Sequence, residues 1–317
     1  MSQSFELLQN LSYHRYDVHI SPTDDVAFKA WPGAIIRNNL LYAAEHIRIQ
    51  KNNRSLREQI DICPLEDDHP LYNELKEGFP KGYVLTNFSC AVASNPNITI
   101  RKGETFTLSL LLIGRFNDYR FYFFEAIRQM CERGFGKPLT PFSLTGITEN
   151  PSSPTTLSDF MHPETNDNKS EITIRFLTPV ILYRLRDKKN TQLSYQDKTN
   201  RFPSFYQLMR SSFSRLQKLY ALYENPSEKT LSYFDETCLE DFLIKAGRPL
   251  LKAANIQHIS LPNTQKKGMK NELPLAGYIG EQTYTGKVQQ YVPLLKFMAE
   301  LGVGNETVYG MGRFEIG

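Results

Sequence analysis

Two Gly-x-Gly pairs, Gly302-Val303-Gly304 and Gly310-Met311-Gly312, stand at the very end of this 317-residue chain. Glycine reaches positive φ at no steric cost and presents bare N–H groups, the two properties that phosphate-gripping loops use. A dinucleotide fold would need a helix and a further strand after such a loop, but only Arg313 to Gly317 follow it. A Walker loop would need Gly-Lys-Ser/Thr, which is absent here. What remains is a loop between a helix and one closing strand, suited to gripping a polynucleotide backbone or simply to turning tightly.

Length and patterning set the frame for that loop. The chain is long enough for two domains, each with its own core. A strand pattern over 11–20, a turn at Pro22 to Asp25 and a helix over 33–50 are followed by strands at 83–91 and 106–112. A helix over 119–133 and a strand over 142–148 complete a β-α-β-β-α-β order, the ferredoxin-like unit. Residues 149–170 are rich in Pro, Ser, Thr and Asn without periodicity and read as a linker or long loop. A second pass follows over 171–317: a strand at 171–182, a helix at 204–223, strands at 246–260 and 278–285, a helix at 292–300 and a strand at 310–316. The expectation is an α+β protein of two domains, 1–148 and 171–317, the first in ferredoxin-like order. Cys63, Cys90, Cys131 and Cys238 lack both metal-site spacing and disulfide density, as expected of a protein of the reducing cytoplasm. The longest apolar run, Leu108 to Ile113, is too short to cross a bilayer, so no membrane partner is expected. The net charge of +3 is too small for the whole-molecule field to point to nucleic acid.

The glycine pairs, the stretches Leu275-Ala-Gly277-Tyr-Ile-Gly280 and Tyr291 to Gly302 before them, and Ile174-Arg-Phe-Leu-Thr178-Pro179 together resemble the CRISPR-associated endoribonucleases that process precursor CRISPR RNA. These form a branch of the RAMP superfamily. Gly33-Ala-Ile-Ile-Arg37-Asn-Asn-Leu40 resembles, more loosely, the start of that family's first helix, and Leu111 to Gly114 with Gly134-Phe-Gly136-Lys137 resemble its later strand and turn. The resemblance implies tandem ferredoxin-like domains, a repeat RNA or precursor crRNA as partner, and other CRISPR effector subunits as company. No metal and no cofactor are expected. Family loops carry Lys or Arg between the glycine pairs, whereas this one has Asn305-Glu306-Thr307-Val308-Tyr309. That departure leaves room for a RAMP subunit that holds crRNA without cutting it, and the oligomeric state is open, a homodimer included.

RNA brings its own nucleophile, the 2′-hydroxyl. A site must align it, accept its proton, protonate the leaving 5′-oxygen and stabilise the phosphorane, work that His, Tyr and Lys can do. The six histidines share no His-x-x-x-His spacing that would favour a metal. The resemblance places the reacting groups on or near the first helix. There Ile36, Leu40, Ala43 and Ile47 make an apolar stripe with Asn39, Tyr42 and His46 along one flank. Spacing alone equally allows Tyr42 and His46 merely to border the core. The candidates are His46 as general acid or base, Tyr42 as its partner, and Lys51 or Lys29 as electrostatic support. His14 and His19, an odd number apart on a strand, face opposite ways. For RNA binding the candidates are Gly302, Gly304, Gly310, Gly312 and Arg313 in the loop, with Lys266, Lys267 and Lys270 on a basic hairpin tip. Arg201, Arg210, Arg215 and Lys218 offer a further basic surface without forming one patch.

Overall fold

The computed structural model describes residues 10–28, 31–50, 83–86, 98–151, 153–160, 170–182, 202–223, 244–261 and 275–317. They fall into two compact units, Tyr13–Pro154 in one and Thr155–Ser260 with Leu275–Gly317 in the other.

In the first unit, β1 (Ser12–Pro22) alternates so that Tyr16, Val18 and Ile20 turn into the core. Its neighbours are β5 (Phe106–Ile113) and β6 (Phe142–Glu149), both antiparallel to it, and β3 (Tyr83–Thr86) pairs with the far side of β5. The strand order β3-β5-β1-β6 is the second, third, first and fourth strand of the sheet, the ferredoxin-like order. Between them run α1 (Pro32–Gln50) and α2 (Arg120–Arg133). Helix α2 buries Tyr122, Phe123, Ala126, Ile127, Met130 and Cys131, positions three and four apart that define its apolar stripe. Cys131 is part of that core, and burial pushes its thiol up to about 12. A small sheet of β2 (Val26–Phe28) and β4 (Ile98–Ile100) was not legible in the sequence, because three residues carry too few alternations to register as a strand.

The second unit repeats the pattern. After a short strand β7 (Thr155–Thr156) come β8 (Glu171–Val180), α3 (Phe205–Tyr223), β9 (Leu250–Leu261), β10 (Leu275–Thr285), α4 (Val292–Leu301) and β11 (Phe314–Ile316). The order β11-β8-β10-β9 again sets the first strand between the third and the fourth. With structural relatives described below, these two sheets bear out the α+β, tandem ferredoxin-like architecture. Helix α3 begins with a reciprocal cap: Gln207 N donates to Ser204 Oγ at 3.2 Å, and Ser204 N donates to Gln207 Oε1 at 2.9 Å. Two expected boundaries move by four residues. Strand β9 starts at Leu250, four residues late, because Pro249 has no N–H for the ladder. Strand β11 starts at Phe314 because Gly310 and Gly312 take φ of 72° and 77°, which no strand accommodates.

Buried polar groups tie α3 to the sheet. Gln282 Nε2 donates to the Pro203 carbonyl at 3.0 Å, and the Tyr284 hydroxyl lies 3.0 Å from both that carbonyl and Gln282 Oε1. Burial raises the Tyr284 pKa, so the phenol stays neutral and serves as a donor. Tyr284→Phe is expected to lower unfolding free energy by about 1–2 kcal/mol, because Gln282 loses a partner in a dry site; denaturant unfolding of the two chains measures it.

Candidate active site

Helix α1 starts from Trp31, whose carbonyl accepts the amides of Ala34 (3.1 Å) and Ile35 (3.4 Å). Pro32 sits at the first helical position, where a missing N–H costs nothing. Ile36, Leu40 and Ala43 are buried, which orients the helix as the spacing requires and sends Tyr42 outward, 39% exposed. The Arg133 guanidinium, from the end of α2, lies over the Tyr42 ring at 3.3 Å from its centroid. One face of the Tyr42 ring is thereby covered. Asn39 turns back on its own helix, its Nδ2 donating to the Ile35 carbonyl at 2.8 Å. His46 is on α1 one turn beyond Tyr42; its side chain, and all of Lys29, Lys51, Lys266, Lys267 and Lys270, lie outside the described residues.

The two histidines of β1 do face apart. His19 is bracketed by hydroxyls, Nδ1 at 3.1 Å from Thr107 Oγ1 and Nε2 at 3.3 Å from Thr148 Oγ1. His14 stacks beside Tyr16 and places Nδ1 3.0 Å from Glu149 Oε1. The Tyr16 hydroxyl donates to Asn117 Oδ1 at 2.6 Å, with Glu149 Oε1 at 3.4 Å. Burial, then the Glu149 charge, pushes Tyr16 up to about 12, so it is a hydrogen-bond donor and not a base. This His14–Glu149–Tyr16 group has no local signature in the sequence, because the β1–β6 register alone sets Tyr16 opposite Glu149.

In the second unit the loop between α4 and β11 folds back on the end of β8. Gly302, φ 76°, ends α4, and its amide donates to Met298 O at 2.8 Å. Val303 N donates to Gly312 O (2.9 Å), Asn305 N to Ile181 O (2.9 Å), Gly310 N to Thr307 O (2.9 Å) and Gly312 N to Pro179 O (2.8 Å). Arg313 N donates to Thr178 Oγ1 at 2.9 Å. The Arg313 side chain is only 15% exposed, with Glu300 Oε2 at 3.9 Å. The amides of Gly302, Gly310 and Gly312 are thus already engaged within the protein, and the glycines have a steric role. A Cβ at Gly304 would stand 2.3 Å from Ile181 O, and one at Gly312 would stand 1.9 Å from Val303 O.

Basic groups elsewhere in this unit are also largely committed. Arg215 donates through Nε and Nη2 to the Leu301 carbonyl (3.2 and 2.9 Å), so it caps the end of α4 and drops out of the basic surface expected on α3. Arg175 pairs with Glu281 and with Glu315 (2.8 Å), and Lys252 with Glu171 (2.6 Å). Among the described residues, no three His, Cys, Asp or Glu side chains are grouped so as to hold a metal ion, and no helix is long and apolar enough to cross a membrane.

The described residues thus form two ferredoxin-like units in tandem, the second closed by a glycine loop. Residues 174–314 match the family model of the CRISPR-associated endoribonuclease Cas6, and residues 11–171 match a second model described only as an N-terminal domain. Among solved structures, the chain is similar to a Thermus thermophilus Cas6 product complex: TM-score 0.55, 16% identity, 96% of this chain and 98% of that one covered. It is also similar to a partial Cas6-RT-Cas1–Cas2 complex at TM-score 0.53 and 12% identity, covering 97% of this chain and 46% of that one. No curated protein matches it by sequence. Residues 174–314 thus carry the Cas6 family pattern, and the chain as a whole shares the fold of the Cas6 structures it is similar to.

Gly312→Ala should destabilise the fold by about 2 kcal/mol or more, since the new methyl meets a backbone oxygen at a φ that L-residues resist. Thermal unfolding checks this, and an unchanged midpoint would show that the loop is not packed as described.

Proposed function

We propose that this chain binds the repeat of a CRISPR transcript and cuts precursor crRNA within it by internal transesterification, without a metal. The 2′-oxygen bonds to the adjacent phosphorus, the bond from phosphorus to the 5′-oxygen breaks, and a 2′,3′-cyclic phosphate and a 5′-hydroxyl result. Such a reaction needs only alignment, a proton acceptor, a proton donor and charge stabilisation from the protein. In this reading His46 is the general acid or base and Tyr42 assists through its hydroxyl. Lys51 or Lys29 stabilises the phosphorane. The N-terminal domain supplies the catalytic helix.

The observation that carries the reading is the Cas6 family match over 174–314 on a fold whose first helix presents Tyr42 outward one turn before His46. Arg313, in the second unit, and Lys266, Lys267 and Lys270 supply RNA-binding contacts in this reading. Because the glycine amides are engaged internally, the loop's share in RNA binding would come from its shape and side chains. Other CRISPR subunits are the protein partners this reading assigns.

The test is incubation with end-labelled repeat RNA in excess EDTA, comparing wild type, His46→Ala and Tyr42→Phe. The expected result is one EDTA-resistant cut with a cyclic-phosphate end, slowed by about 10²–10⁴-fold in His46→Ala, the range a positioned acid–base group contributes. Cutting that persists in His46→Ala keeps the reaction and removes that residue from it. Binding without cutting by the wild type would assign the chain to the non-cleaving RAMP subunits, which the absence of Lys and Arg between the glycine pairs also fits.

A further inference from the structure

The Arg133–Tyr42 stack has no part in the chemistry assigned so far, and it stands on the helix flank that leads to His46. Arg133 closes α2, where a cation complements the carbonyl end of the helix. That accounts for a positive residue, but not for its position over a ring. With its carbon 3.3 Å from the Tyr42 centroid, the guanidinium must lie flat on the ring, because any steep tilt would drive a nitrogen into the aromatic carbons. A flat guanidinium directs its N–H groups sideways past the ring edge, in the fork that suits phosphate oxygens.

Charge and rigidity distinguish Arg133 from its neighbours. Arg128, one turn earlier, is shared between Glu125 (2.5 Å) and Glu132, and those carboxylates offset its charge. Among the described residues no carboxylate lies within salt-bridge distance of Arg133, which is exposed. The backbone that follows is held on both sides. Phe135 N donates to Thr140 O at 3.0 Å, while Ala27 N donates to Lys137 O (3.0 Å) and Lys137 N to Ala27 O (2.9 Å). Gly134, φ 82°, makes the sharp exit from the helix, and a Cβ there would stand 2.4 Å from Thr140 O. Arg133 and exposed Lys137 are therefore carried on a turn fixed to β2, just before the entry to α1.

We propose that Arg133, preorganised by its stack on Tyr42, is an RNA phosphate-binding residue that seats the substrate backbone against the first helix. The inference rests on the functional reading above. A long side chain already immobilised on a ring loses less freedom when it takes a phosphate, which makes the contact stronger than that of a free surface cation. The ring then has two separable duties, support through its face and chemistry through its hydroxyl.

The experiment is filter binding of repeat RNA on ice across a salt series, with the RNA recovered and checked for intactness. The chains compared are wild type, Arg133→Ala, Arg133→Lys and Tyr42→Ala. Arg133→Ala should raise Kd about tenfold and reduce the slope of log K against log salt by about 0.7–0.9, the share of one phosphate contact. Arg133→Lys should keep the slope but bind more weakly, because the charge remains while the plane is lost. Tyr42→Ala should bind like Arg133→Ala, because the guanidinium loses its seat. An Arg133→Ala chain that binds within twofold of wild type with an unaltered slope would overturn the proposal, as would Tyr42→Ala binding as the wild type does. Wild-type protein that binds no repeat RNA would overturn the functional reading itself, and this inference with it.

Discussion

The second unit depends on the close approach of the 302–312 loop to the end of β8. Strand β8 lies between β10 and β11, and β11 is only three residues long. So short a strand cannot find its register unaided. It is delivered by the loop, whose Asn305 and Gly312 amides bond to Ile181 and Pro179 and whose Arg313 amide bonds to Thr178. The backbones come together only because Gly304 and Gly312 have no side chain to hold them apart. Phe314 then enters the core against Phe176, 6.4 Å between ring centroids, and the sheet is complete.

This geometry changes how the glycine signature is read. Such a sequence invites the idea of a nest of amides open to phosphate. Here three of the four glycine amides are spent on the protein itself, so the motif marks a backbone crossing first. Charge tells a similar story. Arg215, expected on a basic surface, caps a helix, and Arg175 and Lys252 meet carboxylates across the sheet. In the first unit Arg133 keeps its charge and gains an aromatic seat. Which cations remain open to a polyanion is a property of pairing and not of composition.

Much of the architecture was legible beforehand. Alternation in β1, the apolar stripe of α1 and the succession of strand and helix patterns are all local, readable because strand and helix periods differ. The flank of α1 that carries Tyr42 and His46 follows from the same arithmetic. The small β2–β4 sheet, the His14–Glu149–Tyr16 group and the Arg133–Tyr42 stack were not legible. Each joins residues far apart in the chain, and no spacing rule spans such a gap.

By itself, then, the sequence determined two α+β units, a late glycine loop and the flank of α1 that carries Tyr42, since these follow from side-chain period and backbone freedom within short windows. Only the tertiary structure decided that the glycines serve a backbone crossing, that Arg215 turns inward, and that Arg133 lies on Tyr42. Those outcomes depend on which strands pair in which register and how helices settle on the sheet, and such long-range contacts are selected by the packing of the whole unit.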